Sequence, residues 1–283
     1  MENTLVSVCL ITYNHVKYIE QCIESVLNQK VDFPWEIIIA DDCSQDGTTE
    51  IIRKYSDLYP TLIRPIIRQK NVGAANNFIE LLQSANGKYI AYMECDDFWT
   101  DSFKLKKQIN FLEKNPDYST CFHNTEERFE GNSERESILY LNSTKKTEFE
   151  LEDLFDGNMI PSCSIVFKNT LRGQFPEWYK KLKLGDWTLH ILNAQSGKLK
   201  YIPQVMGVHR RHEKGTWSAL SNDIIIKYTL EVFDALIAYF EKDEVKKLMI
   251  TKAKNKFRSK HVKYKFIKRV INKIKREVQK HLQ

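Results

Sequence analysis

Residues 88–100, KYIAYMECDDFWT, join a short apolar run directly to a cluster of acids, and that junction narrows the folds open to this chain. Tyr89 to Met93 have the length and composition of a buried strand. Glu94, Asp96 and Asp97 follow at once, so the acids fall at the strand's carboxyl end. Open α/β sheets gather their ligands there. Carboxylates this close repel one another unless a cation sits among them, and oxygen ligands suit a hard ion, Mg²⁺ or Mn²⁺, shared with substrate phosphates. The plain alternative is a solvated acidic turn that caps the next helix.

The same grammar recurs along the chain. Leu5 to Thr12 reads as a buried strand leaving through the turn TYNH, and Ile19, Cys22, Ile23, Val26 and Leu27 then fall on one helical face. Trp35 to Ala40 is a second strand that runs into DDCSQDG, residues 41–47, before a helix carrying Ile51, Ile52 and Tyr55. A third strand over Ile63–Arg68 precedes NVGAANN, residues 71–77, and a helix holding Phe78, Ile79, Leu81 and Leu82. Strands alternating with helices predict an α/β fold, a mostly parallel sheet flanked by helices. Beyond it the spacing predicts a helix from Phe103 to Leu112, strands over Tyr118–His123, Ser164–Phe167 and Lys200–His209, and a helix opening at GDWTLH, residues 185–190. Asn124 to Glu152 is polar and unpatterned and reads as a flexible loop.

From Asn222 onward the pattern is helical, which predicts domains over 1–220 and 221–283. Lys246 to Gln283 holds fifteen Lys and Arg against one acid, Glu277, a balance of +14 that leaves −8 for residues 1–245 out of a total of +6. Ile267, Val270, Ile271, Ile274, Val278 and Leu282 recur there at three and four residues with basic residues between them, a basic amphipathic helix. Such a helix suits an anionic membrane surface. An RNA-binding arm, or a stripe that packs on the body or on a second subunit, is the alternative. The six cysteines form no C-x-x-C pair and several lie in apolar runs, as buried free thiols in a reducing compartment do. With no basic-then-apolar leader and no apolar run of the roughly 18 residues a membrane span needs, the expected location is cytoplasmic, peripheral on the inner face of the membrane.

The chain contains neither G-x-G-x-x-G nor G-x-x-x-x-G-K-[ST], so phosphates would be held by metal and side chains rather than by a glycine-rich cradle. Asp42 is placed to accept from a base N–H or a sugar hydroxyl. TYN at 12–14, DDCSQDG at 41–47, ECDDFW at 94–99, GDW at 185–187 and HRRHEKGTWS at 209–218 stand in an order that resembles the motifs of a family 2 glycosyltransferase, in particular the bacterial enzymes that build capsule and lipopolysaccharide glycans. The resemblance spans about Val6 to Ser218. It implies the A-type nucleotide-diphospho-sugar transferase fold and metal-dependent, inverting transfer of one hexose or N-acetylhexosamine from a UDP-sugar to a lipid-linked or lipopolysaccharide acceptor. A catalytically silent nucleotide-sugar or glycan-binding protein of the same fold is the alternative.

Carried across by position, the resemblance places Thr12, Tyr13 and Asn14 at the nucleotide base, Asp42 on uracil and the loop from Asn71 near the sugar nucleotide. It gives Asp96 to ribose or metal, Asp97 to the metal, and Asp186 to the proton of the attacking hydroxyl. His212 is a candidate for the metal shell, Arg210 and Arg211 for phosphate charge, and Trp217 for stacking on a sugar. Two departures stand out: Gly185 precedes Asp186 where relatives often carry a second acid, and Glu94 falls where relatives vary. The Q-x-x-R-W motif of processive synthases is absent, which favours single-sugar transfer. No nucleic-acid partner is expected, and an oligomer is possible.

Overall fold

The computed structural model describes residues 4–131, 136–141, 144–183, 185–213, 215 and 220–261. Trp217 and the amphipathic stripe from Ile267 to Leu282 lie outside them. The chain divides into two compact units, Met1–Ala219 and Leu220–Gln283.

The first unit opens with β1 (Val6–Thr12), α1 (Ile19–Leu27), β2 (Trp35–Asp41), α2 (Thr48–Leu58), β3 (Ile63–Ile67), α3 (Ala74–Gln83) and β4 (Tyr89–Glu94). It continues with β5 (Phe98–Trp99), α4 (Lys104–Lys114), β6 (Tyr118–Phe129), β7 (Ile138–Leu139), β8 (Glu148–Phe149), β9 (Val166–Lys168), α5 (Gly185–Ala194) and β10 (Lys198–Arg211). The main path of the sheet runs β3-β2-β1-β4-β9-β6-β10-β5. β3, β2, β1 and β4 are mutually parallel. β9 is antiparallel to both β4 and β6, so it joins this parallel half to the parallel pair β6–β10. Val8 and Leu10 of β1, Ile37 and Ile39 of β2, and Ala91 and Met93 of β4 are buried with one face of α1. A strand covered on both faces needs a continuous apolar run rather than alternation, and these three strands have one.

One expectation is overturned. The polar stretch after His123 is not a loop at its start: β6 runs on to Phe129 and pairs with β10 from Thr125 opposite Gly207 to Phe129 opposite Arg211. Polar residues tolerate this strand because pairing with β10 satisfies their backbone, and Thr125 and Glu127 are buried side by side with it. β10 is also longer than expected, and its register against β6 shifts between Ile202 and Val205, where Pro203 has no N–H to give the ladder. All six thiols are free, and all but Cys43 are buried.

Lys104 is the anomaly of this core. It is fully buried on α4, its Nζ has no hydrogen-bond partner among the described residues, and it lies 3.8 Å from the centre of the Trp99 ring. Burial lowers its ammonium from the ordinary 10.5 to about 7. Between those values the unfolded chain binds a proton that the folded chain does not, so this residue makes stability rise with pH across that window; below about 7 both states are charged and the dependence ends. Urea melts of wild type and Lys104→Met from pH 7 to 10 check this. The wild type should gain stability relative to the variant as pH rises, and a constant difference would contradict it.

In the second unit α6 (Asn222–Tyr239) starts at Ser221, whose hydroxyl accepts from the Ile224 amide, and residues 244–261 are again helical. Phe233 meets Phe257 at 5.9 Å between ring centres, and Lys254 pairs with Asp234, so the two helices pack as a hairpin. Among the described residues no helix is long and apolar enough to cross a membrane.

Candidate functional site

The loops leaving β1 and β2 are tied together by backbone amides. Asn14, at φ 57°, gives its N–H to Ser44 Oγ (2.8 Å) and accepts from the Gln45 amide (2.8 Å). His15 and Val16 give theirs to Thr48 Oγ1 and Asp46. Asparagine suits this left-handed position because its short polar side chain bonds locally. Asn14 thus braces the turn, while Thr12 and Tyr13 beside it line a cavity of about 380 Å³.

The acid pair after β2 divides its labour. Asp41 is buried and closes its own turn, accepting from Ser44 and Thr49. Asp42 reaches across to the start of α3, where its two oxygens accept the amides of Val72 (2.7 Å) and Gly73 (2.9 Å). Gly73 has φ +85°, a conformation glycine adopts freely. Asn71 completes the joint by donating to the Asp42 carbonyl. Asp42 and Asn71 both face the cavity. Each carboxylate oxygen of Asp42 keeps a second lone pair for a ligand.

At the end of β4 the three acids have three fates. Asp96 lines the cavity; its Oδ2 meets His212 Nε2 at 3.0 Å, and its Oδ1 is buried with no partner among the described residues. Burial pushes its carboxyl up, but the His212 bond, the charges of His15 and His212 and a backbone N–H together outweigh this and hold it below its ordinary value, so Asp96 is ionised. Asp97 is fully buried, accepts the Arg210 amide (2.8 Å) and is not among the residues lining the cavity. Burial, then Asp96 and Glu94, drive its carboxyl well above the carboxylate range. Glu94 does line the cavity, and burial together with Asp96 and Asp186 pushes it up to about 8.

The arginines that end β10 were expected on phosphate, and the structure uses them otherwise. Arg210 bonds the Asp96 carbonyl and Gln21, lies 3.4 Å from Glu130, and sits over the Phe98 ring. Arg211 is paired with Glu127 at 2.6 and 2.7 Å. Neither lines the cavity, because each guanidinium is spent on fixing the loop that carries His212. Among the described residues, the Lys or Arg in the cavity wall is Lys183.

Asp186 lies in the first turn of α5 and lines the same cavity. Trp187 gives its amide to Oδ1 (2.7 Å) and Asn158 gives Nδ2 to Oδ2 (2.8 Å). Burial raises the carboxyl above its ordinary value against these donors. A raised carboxyl in a cleft is a stronger base once ionised.

His15, Tyr92 and Lys183 also line the wall and were not singled out from the sequence, whereas Glu94 was, without a role. Tyr92 had a usable signal, lying two residues before Glu94 on the same face of β4. Asn158 had none. A divalent ion fits the Asp96 side: an ionised carboxylate with one orphaned buried oxygen, beside an imidazole. Among the described residues no three His, Cys, Asp or Glu side chains form a ready-made cage. That suits Mg²⁺ or Mn²⁺, which fill their shells with ligand oxygens and water.

The family model described as glycosyl transferase family 2 matches residues 7–173. An uncharacterized protein of Mycobacterium tuberculosis is 34% identical over 226 residues, covering 77% of this chain and 62% of its own length. The chain thus spans about 62% of the length of these mycobacterial relatives. WfgD of Escherichia coli, a UDP-Glc:alpha-D-GlcNAc-diphosphoundecaprenol beta-1,3-glucosyltransferase, is 34% identical over 115 residues, 41% of this chain and 44% of that one. Among solved structures, S. aureus TarS 1–349 in complex with UDP-GlcNAc superposes with a TM-score of 0.67 at 20% identity, covering 92% of this chain and 73% of that one. At that identity the likeness speaks for the fold, a sheet flanked by helices as in TarS.

Proposed function

Since this chain belongs to glycosyl transferase family 2, we propose that it moves a single hexose or N-acetylhexosamine from a UDP-sugar to a lipid-linked glycan of the capsule or lipopolysaccharide kind, with inversion at the anomeric carbon. One observation carries the reading. A single cavity is lined both by an ionised carboxylate with an unpartnered oxygen, Asp96, and by a carboxylate raised by burial, Asp186. A diphosphate pole and a base pole are what such a transfer requires.

Asp186 takes the proton of the acceptor hydroxyl while that oxygen forms its bond to the anomeric carbon. The bond from that carbon to the diphosphate breaks, and its electron pair leaves with UDP. Thr12, Tyr13, Asp42 and Asn71 hold the nucleoside end, and Lys183 offsets phosphate charge at the wall. Asp96 and His212 would hold Mg²⁺ or Mn²⁺, which when bound supplies Lewis-acid stabilisation of the departing diphosphate. UDP as the nucleotide is supported by WfgD, whose name gives UDP-Glc as donor, and by TarS, whose structure holds UDP-GlcNAc. The lipid-linked acceptor is supported by WfgD and by WfaP of Escherichia coli, whose names both give a diphosphoundecaprenol acceptor. The basic stretch after Lys246 would hold the enzyme at an anionic membrane where such an acceptor resides.

The test is transfer from UDP-Glc or UDP-GlcNAc, with Mn²⁺ present, to a synthetic GlcNAc-diphospholipid in anionic vesicles. A lipid extended by one sugar, with stoichiometric UDP, is expected. No extended lipid and no UDP release from either donor would overturn the reading.

A further inference from the structure

Asn158 stands on a short segment that is pinned to α5 at more than one point. Trp187 Nε1 donates to the Leu154 carbonyl (2.8 Å), and Asn158 Nδ2 donates to Asp186 Oδ2 (2.8 Å). The orientation of the amide is fixed as well. The Ile160 N–H donates to Asn158 Oδ1 (3.0 Å), an interaction only the carbonyl oxygen can accept, so the NH₂ is the end that faces Asp186. With the Trp187 amide on Oδ1, the carboxylate has one donor on each oxygen and cannot rotate without losing one.

We propose that Asn158 is a positioning residue for Asp186: its amide locks the carboxylate in the orientation in which the free lone pairs face the acceptor hydroxyl, and it favours the ionised form a base needs. This rests on the reading of Asp186 as the base. A donor to a carboxylate stabilises its charge, so Asn158 opposes the burial that raises Asp186. The other titratable groups around Asp186 are Glu94 and Tyr92 on β4, Tyr179 before α5, Tyr140, and Lys183 in the same wall. Of these only Lys183 has a charge that favours an ionised Asp186; the hydrogen bonds that favour it come from Asn158, the Trp187 amide and the backbone of Asp186 itself.

Two variants separate positioning from simple support of the loop. Asn158→Asp keeps an oxygen for the Ile160 amide but replaces the donor with a second carboxylate; Asn158→Ala removes both. A loop-supporting role ranks Asp near wild type and Ala worst. Positioning ranks Asp at least as damaging as Ala. The ionisation of Asp186 is followed by NMR in protein labelled at aspartate, its signal identified by its loss in Asp186→Asn. The midpoint should move to higher pH in Asn158→Ala and further in Asn158→Asp, with UDP release from UDP-Glc slowed about tenfold to hundredfold and UDP binding retained. Unchanged midpoints in both folded variants would overturn the positioning role. If instead Asp186→Asn itself retains transfer, the base assignment fails, whatever the midpoints show.

Discussion

Asp186→Asn should lower sugar transfer by about 10²–10⁴-fold, the range a positioned general base contributes, while UDP binding stays within a factor of a few. The introduced amide has nearly the same shape and can still accept the Trp187 N–H, so the helix start survives. It cannot take a proton from the acceptor. It also presents an NH₂ to the NH₂ of Asn158, so thermal melts belong beside the kinetics to separate lost chemistry from lost folding. The wild-type pH profile carries a second signature. The proposed base works ionised, and burial raises its carboxyl, so kcat should fall as pH drops through a value above that of an ordinary aspartate. An Asp186→Asn variant that folds, binds UDP and transfers at the wild-type rate would remove the base from this account.

The second large effect concerns the two aspartates that the sequence writes side by side. Asp96→Ala removes the ionised carboxylate of the cavity and leaves His212 without its 3.0 Å partner. Losing a charged hydrogen-bonding group costs about 1.5–3 kcal/mol, so UDP affinity in Mn²⁺ should drop about tenfold to hundredfold. Affinity in chelator should change little. Asp97→Asn should behave differently. Asp97 is fully buried, its carboxyl is raised by burial and by its acidic neighbours, and its bond is to the Arg210 amide. A neutral amide keeps that bond, so metal-dependent binding should survive largely intact. Calorimetry on both variants decides it, and equal loss in both would mean that Asp97 holds the metal after all.

That contrast marks how far the sequence could be read. β1, β2 and β4 were legible because strands buried on both faces need unbroken apolar runs, and LVSVCLIT, WEIIIA and YIAYM supply them. The second half of β6 was not, because its residues are polar and its strand character comes from pairing with β10. The motifs located the cavity through Thr12, Asp42, Asn71, Asp96 and Asp186, but residue type alone does not say where a side chain points. Asp96 and Asp97 are adjacent and chemically identical, and the turn after β4 sends one to the cavity wall and buries the other outside it. Arg210 and Arg211 read as phosphate ligands because nothing in the sequence shows that Gln21, Glu130 and Glu127, far away in the chain, already occupy them. Asn158 and Lys183 reach the site from irregular segments with no periodicity to betray them.

The measurement closest to the centre of this account is calorimetric titration of the purified chain with UDP, GDP and inorganic diphosphate, each with Mn²⁺ and with chelator. UDP should bind in Mn²⁺ with an affinity that falls when the ion is removed, and more tightly than GDP, the outcome expected from the proposed hold of Asp42 and Asn71 on a uracil base. Failure of every nucleotide to bind in either condition would contradict the assignment of this cavity to a nucleotide-sugar donor.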